Sequence, residues 1–527
     1  MAKPVALVQV SNPEDMRIAP LALLFTGGAL KKEGYDVQVF HVNSENLNSA
    51  CSQILSTDPL FVGFSVITGN QTRESAVLSK LLKTEKPELP VVWGGVHPTL
   101  LPIETVKEYY VDYVVAGEGD ETIIDVVKMF EGKIKPQDIK GFCFKDSEGK
   151  PVVTAPRPLI EDLDKLDLDF SLINVEDHLE HEWSNKRVLG FITSRGCPFN
   201  CGFCFNQRFN QRRWRAQSDK KVIEKVNYLK DTFGIDGIKF YDDLLFSNPQ
   251  RAVRLLEAID LPWYGEVRVG MIHDDMVKKL VSTNCRELLL GLESGSDRML
   301  KLMNKLQTVE QIKRGIKALT KAPDLKPVGS FIMGMPTETK EETFHTIDLA
   351  LDLSYIHPRM RFSFGFYLPY PGSDLYDLAL KLGFTPPTKT EDWDALDRWA
   401  NKLELKWLDW THDSDYFRKI RDYFNLLPLR DVNLPFISKI PEKRLRSRDF
   451  DHAKEIELLS YLQKKYSHKN NLFSKVVLKT LPYIRTKRLP KDVEINQIPV
   501  VNNNLTNVQV QVSNPQSMEA VTGISVK

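Results

Sequence analysis

The sequence lacks the features of a membrane-spanning or secreted protein. No run of 18 or more apolar residues occurs in its 527 residues, so no transmembrane helix is predicted. It begins Met-Ala-Lys-Pro and continues with VALVQV, an apolar run too short for the core of a signal peptide. Six cysteines are too few for a disulfide framework in a chain of this length. We therefore expect a cytoplasmic protein in a reducing compartment.

An excess of charge of either sign is also missing. The 71 Lys and Arg balance 70 Asp and Glu, which gives a formal net charge of +1. This balance excludes a uniformly basic nucleic-acid-binding protein. The charge is nevertheless uneven, because residues 418–491 contain 19 basic and 7 acidic side chains and the rest of the chain is acidic. The length and a hydrophobic content of 42% predict several domains with ordinary cores.

Residues 1–150 alternate short apolar runs with amphipathic helical segments, a pattern typical of a parallel sheet covered on both faces. The runs are 5–10, 36–42, 61–67, 90–96 and 112–119. They predict a Rossmann-like domain that binds its ligand at the carboxyl ends of the strands. Small or polar residues at those ends would let a large ligand approach the backbone. These residues are Ser65, Thr68, Gly94, Gly95, Gly117, Glu118 and Gly119. Helix caps and turns are the alternative interpretation of the glycines.

A second alternating series occupies residues 186–385, after an acidic, proline-containing stretch over 151–185 that we interpret as a linker. Its apolar runs are 188–194, 237–243, 264–270, 286–294, 327–336 and 359–369. Six strand–helix units predict a partial (β/α)6 barrel with its chemistry at the carboxyl ends of the strands. Beyond it, residues 386–491 are predicted to form a helical, basic region that caps the barrel and helps define the substrate. The tail over 492–527 is predicted to be disordered.

Three cysteines follow the first strand of the barrel closely. SRGCPFNCGFCFN places Cys197, Cys201 and Cys204 at C-x3-C-x2-C spacing, which lets three thiolates converge on one metal centre. A zinc site would need a fourth protein ligand, and none is evident nearby. Three ligands suit a 4Fe–4S cluster whose fourth iron is open to a small molecule. The other cysteines are isolated in apolar segments and are predicted to be buried thiols.

This motif resembles that of the radical SAM enzymes, in which the open iron binds the amino and carboxylate groups of S-adenosylmethionine (SAM). Phe203 stands where the family has an apolar residue against adenine. FYDD (240–243) resembles the motif at the end of the second barrel strand that holds the SAM amino group. From it we name Tyr241, Asp242 and Asp243 as catalytic candidates, with positioning favoured over proton transfer for both aspartates.

Three later segments extend the resemblance. Arg268 resembles the basic residue that meets the SAM carboxylate, and Glu293 and Ser294 resemble the ribose-binding end of the fourth strand. FIMGMPTET (331–339) resembles the fifth-strand motif near adenine. An isolated Arg or Glu at a strand end is more often a structural ion-pair partner, so the order of these motifs carries the resemblance.

The first domain resembles the cobalamin-binding domain that precedes such barrels, through VVWGGVHPTLLP (91–102) and DYVVAGEGDET (112–122). None of the ten histidines is followed by glycine three residues later, so the D-x-H-x-x-G motif of a histidine ligand is absent. The resemblance therefore implies base-off cobalamin without that ligand. We place His97 in the cobalamin pocket, and favour a polar contact or a helix cap over coordination of cobalt.

Together the two domains resemble the cobalamin-dependent radical SAM enzymes, class B methyltransferases in particular. The resemblance implies methylation of an unactivated carbon of a small-molecule or lipid substrate, through methylcobalamin and a 5′-deoxyadenosyl radical. Two alternatives stay open: a non-methylating radical SAM oxidoreductase or cyclase, and a cobalamin- or metal-binding sensor without turnover. An electron donor such as flavodoxin or ferredoxin is implied as a partner, and no nucleic acid.

The C-terminal region has two notable features. Trp393, Trp399, Trp407 and Trp410 form an aromatic cluster, which we interpret as a core rather than as a ligand cage. The basic segments 442–448 and 472–489 include apolar residues as membrane-surface helices do, which suggests peripheral membrane contact. A solvated helix that balances the acidic remainder is the alternative.

Overall fold

The structure is a computed structural model that describes residues 3–182, 185–396, 404–427, 439–450 and 455–456. The chain divides into two compact units, Met1–Ser414 and Asp415–Lys527. The first unit contains both predicted sheets. The predicted tail over 492–527, the basic segment 472–489 and Trp399 lie outside the described residues.

In the described part of the first unit, a seven-stranded sheet has the order β2-β1-β3-β4-β5-β6-β7. The first five strands are parallel, and the last two add an antiparallel hairpin. Its strands are β1 Val5–Ser11, β2 Val37–Asn43, β3 Val62–Ser65, β4 Val91–Gly94, β5 Tyr113–Val115, β6 Phe142–Lys145 and β7 Pro151–Val153. The helices are α1 Leu21–Lys32, α2 Leu47–Ser56, α3 Asn70–Glu85, α4 Val96–Leu100, α5 Pro102–Lys107 and α6 Gly119–Phe130. The order reverses between β1 and β3, where such sheets bind ligands.

The second sheet has the order β16-β15-β14-β13-β12-β9-β8 over the described residues. Six of these strands are parallel, and β8 pairs antiparallel with β9 at one edge. The strands are β8 Glu180–Glu182, β9 Asn185–Phe191, β12 Gly237–Phe240, β13 Trp263–Val267, β14 Cys285–Glu293, β15 Lys326–Met333 and β16 Arg361–Phe366. A small antiparallel pair, β10 Ser194–Arg195 and β11 Arg215–Ala216, stands beside this sheet. The predicted partial barrel is confirmed.

Helices cover the outer face of the barrel, and their ends follow from local sequence. Asn248 caps the helix that starts at Pro249, and Thr308 and Thr339 each form a capping box with the residue three positions later. Gly234 ends another helix in the left-handed conformation. The helices are α7 Asn206–Phe209, α8 Asp219–Phe233, α9 Pro249–Ile259, α10 Asp274–Ser282, α11 Asp297–Leu302, α12 Val309–Leu319, α13 Lys340–Ile356 and α14 Asp374–Lys381. Helices α15 Ser414–Leu426 and α16 Ile440–Ser447 follow, as predicted for a helical C-terminal region.

Most of the predicted strands end a few residues earlier in the structure than the sequence suggested, and two of them show why. The run 237–243 forms a strand only to Phe240, because Asp242 turns its carboxylate toward the end of β9. The run 112–119 stops at Val115, because Gly117 has a φ of +103° and α6 begins at Gly119.

The segment predicted as a linker is packed into the first unit. Its apolar residues alternate with aspartates and are buried, namely Leu163, Leu166, Leu168 and Phe170. These apolar side chains are therefore packed inside the first unit, and the segment is not an exposed connection between domains. The domain boundaries themselves stay predictions.

Candidate functional site

The inner face of the barrel is open. Along β14, Leu288, Leu290 and Leu292 are fully buried on the helix side, whereas Leu289 and Gly291 are partly exposed on the other side. Because side chains alternate along a strand, this pattern defines a concave inner face that is accessible to a ligand. The residues predicted to bind the cluster and SAM lie at the end of this face where the parallel strands terminate.

The loop that carries the three cysteines is fixed at both ends. Gly196 has a φ of +87°, and a Cβ there would lie 1.9 Å from the carbonyl oxygen of Arg213, so only glycine fits. Gly202 donates its N–H to the Met303 carbonyl at 2.8 Å and accepts from the N–H of Leu375 at 2.9 Å. These backbone bonds hold the cysteines at the mouth of the barrel.

The three thiols occupy a setting that suits a cationic cluster. Burial raises the pKa of Cys197 and raises the pKa of Cys204 to about 12, so both thiolates would need a compensating positive charge. Arg268 Nη1 lies 3.7 Å from the Cys201 sulfur. Among the described residues, no group of three His, Cys, Asp or Glu is arranged to hold a single metal ion. A 4Fe–4S cluster has a different requirement, since each thiolate binds its own iron.

Lys305 connects Arg268 and Glu293 at the mouth of the barrel, and no sequence motif indicates this lysine. The Arg268 guanidinium lies 3.8 Å from the centre of the Phe199 ring and donates to the Lys305 carbonyl. Lys305 Nζ contacts Glu293 Oε1 at 2.5 Å, and both side chains are buried. Glu293 therefore already has a cationic partner, and its role in binding ribose stays a prediction. Phe203 lies beside this pair, with its ring centre 5.9 Å from Lys305 Nζ.

The two aspartates of FYDD accept hydrogen bonds from residues at the start of the cysteine loop. Asp242 accepts from the N–H and the hydroxyl of Thr193 at 3.1 and 2.7 Å and from the Ser194 hydroxyl at 2.5 Å. Burial raises its pKa. Asp243 accepts from the N–H of Gly196 at 2.7 Å while part of its side chain stays exposed. These contacts are those of positioning residues.

The other two candidates at the strand ends also have protein partners. The Tyr241 hydroxyl donates to Glu180 Oε1 at 3.2 Å, across to the edge strand β8. The Ser294 hydroxyl is buried, accepts from the N–H of Ser296 at 3.1 Å, and lies 3.4 Å from the Thr346 hydroxyl. Ser294 therefore shapes the turn after β14, and its contact with a ribose stays a prediction.

A further carboxylate, Glu266, lies on the concave face two residues before Arg268. It pairs in register with Leu289, so its side chain points to the same open side, and that side chain is exposed within the recess. Desolvation by the surrounding walls is the largest cause that raises its pKa to about 7, followed by the negative charge of Glu293. Only the strand register, which needs the fold, identifies this residue.

We expect Glu266→Gln to change the pH dependence of stability. The pKa of Glu266 is near its ordinary 4.5 in the unfolded state and about 7 in the folded state. The free energy of unfolding of the wild type therefore falls as pH rises from 4.5 to 7, because the unfolded state loses its proton first. The free energy of unfolding of the variant relative to that of wild type should therefore increase from pH 4.5 to 7 and stay constant above pH 7. Urea unfolding at several pH values measures the difference, and a constant difference across this range would contradict the prediction.

The carboxyl ends of β3, β4 and β5 lie side by side at one edge of the first sheet. Ser65 pairs with Gly94, and Gly95 has a φ of +98°. Thr99 connects two of the turns, since its hydroxyl donates to the Gly95 carbonyl at 2.6 Å and accepts from the N–H of Gly117 at 2.9 Å. Gly94, Gly95, Gly117 and Gly119 are all partly exposed there. The backbone is thus accessible to a large ligand at this edge.

His97 and Glu118, which the sequence places in that pocket, have partners within the protein. His97 is buried, its Nδ1 lies 3.0 Å from the Thr68 hydroxyl, and burial lowers its pKa to about 3. The ring of Trp393 packs edge-on against it at 5.6 Å between ring centres. Glu118 is buried in ion pairs with two arginines of the barrel. His97 makes a polar contact through Nδ1, whereas its buried Nε2 has no hydrogen-bond partner among the described residues. Both carboxylate oxygens of Glu118 are engaged by arginine side chains.

The turn Thr390–Leu396, here termed the covering turn, returns from the barrel to the first domain. Besides the Trp393 contact, its Thr390 N–H donates to Glu108 Oε1 at 2.8 Å and its Asp394 pairs with Arg73 at 3.4 Å. Trp407 is also buried, and its indole N–H donates to the Gly334 carbonyl at 2.7 Å. The described tryptophans Trp393 and Trp407 therefore pack as core residues, and Trp410 is partly exposed with its indole bonded to the Glu338 carbonyl at 2.8 Å.

In the C-terminal unit, the basic segment 442–448 lies within the described residues. Arg444 pairs with Glu455 at 2.6 Å and Arg446 with Glu442 at 2.8 Å, so acidic residues neutralise part of its charge. Across the described ranges, no helix is both long enough and apolar enough to cross a membrane.

Comparison with known proteins identifies two domains. Residues 15–127 match the B12 binding domain, and residues 191–350 match the radical SAM superfamily. An uncharacterised methyltransferase of Pyrococcus horikoshii is 32% identical, over 68% of this chain and 78% of that protein. The anaerobic magnesium-protoporphyrin IX monomethyl ester cyclase of Rubrivivax gelatinosus is 28% identical, over 68% of this chain and 65% of its own length.

Solved structures show the same fold. The radical SAM methyltransferase TsrM of Kitasatospora setae superposes with a TM-score of 0.58 at 17% identity, over 85% of this chain and 99% of that one. The cobalamin-dependent radical SAM enzyme OxsB superposes with a TM-score of 0.59 at 16% identity, over 90% and 74%.

Proposed function

Since this chain belongs to the radical SAM superfamily and has a B12-binding domain ahead of the barrel, we propose that it is a cobalamin-dependent C-methyltransferase. One observation carries the proposal: the three-cysteine loop and the glycine-lined strand ends of the first domain lie in one compact unit, connected by buried contacts. The 32% identity to a methyltransferase supports the same reaction class. The substrate we propose is a small molecule or a lipid with an unactivated carbon.

The residues present suit the cofactors that the family uses. Cys197, Cys201 and Cys204 would hold a 4Fe–4S cluster, and Arg268 with the Lys305–Glu293 pair would orient SAM beside it. When bound, the cluster and SAM supply hydrogen abstraction, and cobalamin supplies the methyl group. The chain itself positions these groups, because Asp242 and Asp243 fix the loop that presents the thiols.

We propose that cobalamin binds in the base-off form without a histidine ligand. The described part of the first domain contains two histidines, of which His41 has partners at both ring nitrogens and His97 at Nδ1 alone. His97 is buried beneath Trp393, and His41 lies 3.0 Å from His178 through Nδ1 and 2.9 Å from the Ser11 hydroxyl through Nε2. The D-x-H-x-x-G motif is absent from the sequence. The EPR spectrum of the cob(II)alamin form tests this, since a protein nitrogen ligand would split its lines.

The relatives support a second candidate, a radical oxidation or ring closure without methyl transfer. Its specific support is the 28% identity to an anaerobic cyclase that acts on a magnesium-protoporphyrin. For either reaction we propose that an electron-transfer protein such as flavodoxin or ferredoxin reduces the cluster. The proposed cytoplasmic location, with peripheral membrane contact through the basic C-terminal region, needs a vesicle-binding measurement on the full chain.

Product analysis tests the proposal. The anaerobically reconstituted protein, with cluster, cobalamin and SAM labelled in its methyl group, is incubated with small-molecule extracts. Methylation yields S-adenosylhomocysteine and deoxyadenosine in step, together with a labelled product. Deoxyadenosine without S-adenosylhomocysteine would instead establish the oxidation or cyclisation. Absence of deoxyadenosine from the reduced, loaded protein would leave only the sensor interpretation.

A further inference from the structure

Four charged residues, three of them buried, join the first domain to the cysteine loop. This group, termed here the Arg195 network, consists of Arg195, Arg215, Glu118 and Asp120. Arg195 binds Asp120 in bidentate fashion, with Nη1–Oδ2 and Nη2–Oδ1 distances of 2.7 and 3.0 Å. Its Nη1 also donates to Glu118 Oε1 at 3.1 Å, and Arg215 Nη1 donates to Glu118 Oε2 at 2.8 Å. Two positive and two negative charges therefore balance within one buried cluster.

Further contacts leave this network little freedom to rearrange. Glu118 Oε2 also accepts from the N–H of Ile160 at 2.7 Å, and Arg215 donates to the Ile160 carbonyl at 2.7 Å. The Arg195 guanidinium lies 4.7 Å from the centre of the Phe25 ring on α1. The side chains of Glu118, Asp120 and Arg215 are each 4% exposed, and that of Arg195 is 18% exposed. Burial alone would lower the pKa of Arg195, but Asp120 and Glu118 outweigh it and raise that pKa, so the arginine stays charged.

The network connects two places that the proposed function assigns to different cofactors. Glu118 and Asp120 flank Gly119 at the first turn of α6, directly after the glycine turn that follows β5. Arg195 stands two residues before Cys197 and next to Gly196, which Asp243 fixes from the other side. A buried ion pair is weak evidence for stability, because desolvation offsets its attraction. A bidentate arginine–carboxylate pair does, however, impose a defined geometry.

We propose that Arg195 is a positioning residue that sets the spacing between the cobalamin pocket and the cluster loop by pairing with Asp120 and Glu118. This inference rests on the proposed function. A substrate radical must form near the cluster and then meet the methyl donor, so both sites need a fixed separation. A shift of ~1 Å in such an arrangement can cost about 100-fold in rate. The expected effect of losing the network is therefore uncoupling, in which deoxyadenosine forms without methyl transfer.

The test compares the full chain, loaded with cluster and cobalamin, in wild-type form and as Arg195→Met and Arg195→Lys. We expect both variants to retain iron and cobalamin, and the ratio of deoxyadenosine to S-adenosylhomocysteine to rise about 10-fold or more in Arg195→Met. Arg195→Lys should be intermediate, because an ammonium group cannot form the bidentate pair. The magnetic interaction between cob(II)alamin and the reduced cluster, measured by EPR, should also change, and it should change more in Arg195→Met than in Arg195→Lys.

Arg213→Met is the matched control, because Arg213 lies in the same part of the chain and pairs at 2.7 Å with Glu161 in an exposed position. It should leave both the product ratio and the EPR interaction at wild-type values. An unchanged ratio and interaction in Arg195→Met would overturn the proposal, and so would failure of both Arg195 variants to fold, which would assign the network to stability alone. If wild type forms no deoxyadenosine, the proposed function fails, while the EPR measurement still tests the positioning.

Discussion

Cys201→Ala is expected to abolish reductive cleavage of SAM and the visible absorption of the cluster. Cys201 is buried between two partly exposed cysteines, and its sulfur lies 3.7 Å from the Arg268 guanidinium. Removing it leaves two thiolates for a cluster that needs three, and it leaves Arg268 facing an apolar methyl group. Iron content, the absorption spectrum and deoxyadenosine formation after anaerobic reconstitution measure the loss.

Cys143→Ala serves as the control for this variant. Cys143 is a fully buried thiol in β6 of the first sheet, and burial raises its pKa to about 11, so it stays protonated. The control should keep wild-type iron content and SAM cleavage, apart from a modest loss of stability from the small cavity. If Cys201→Ala retained the absorption and cleaved SAM, the cluster assignment would be wrong.

Gly95→Val should have the second-largest effect, on folding of the first domain. Gly95 has a φ of +98°, and a Cβ there would lie 2.7 Å from the carbonyl oxygen of Val66. A valine cannot adopt this conformation without strain of about 1–3 kcal/mol, and the overlap with backbone adds to it. We expect a free energy of unfolding lower by about 3 kcal/mol or more. Thermal unfolding of the full chain measures it.

Gly94→Val tests cobalamin binding without a large effect on the folding of the first domain. A Cβ at Gly94 would meet Val115 at 3.6 Å, an ordinary van der Waals contact, and its φ is not positive. This variant should therefore fold with nearly wild-type stability. The added side chain fills the open edge where the strands end, so cobalamin affinity in a spectral titration should fall at least about 10-fold. Unchanged cobalamin binding by a folded Gly94→Val variant would refute the proposed pocket.

The order of strands and helices could be predicted because each barrel strand is a short apolar run bounded by turn residues. Helix α8 is bounded by residues typical of helix ends, with Ser218 as its cap and Gly234 after it. Errors occurred where tertiary contacts decide the outcome. The strand that contains FYDD stops early because Asp242 bonds to Thr193, which is 49 residues away in the chain.

The partners of the site residues could not be predicted for the same reason. Lys305 belongs to a polar turn with no motif, and only the fold places it against Glu293. The exposure of Glu266 on the concave face follows from the register of β13 against β14, which is known only once the fold is known. Arg195 and Asp120 are 75 residues apart, and a single sequence contains no sign of their pairing. The roles of the predicted site residues therefore stay predictions for the experiments above.

The covering turn also has a consequence for the order of events during synthesis. Its contact between Arg73 and Asp394 joins residues 321 positions apart. At about 5–20 residues per second, a ribosome adds that length in roughly 16–64 s. The first sheet is complete long before its cover exists, because its last strand ends at Val153. From Val153 to Asp394 the ribosome adds about 241 residues, which takes roughly 12–48 s at that rate. We expect the nascent domain to present the Thr68–His97 region to solvent for that time, until the barrel has been made.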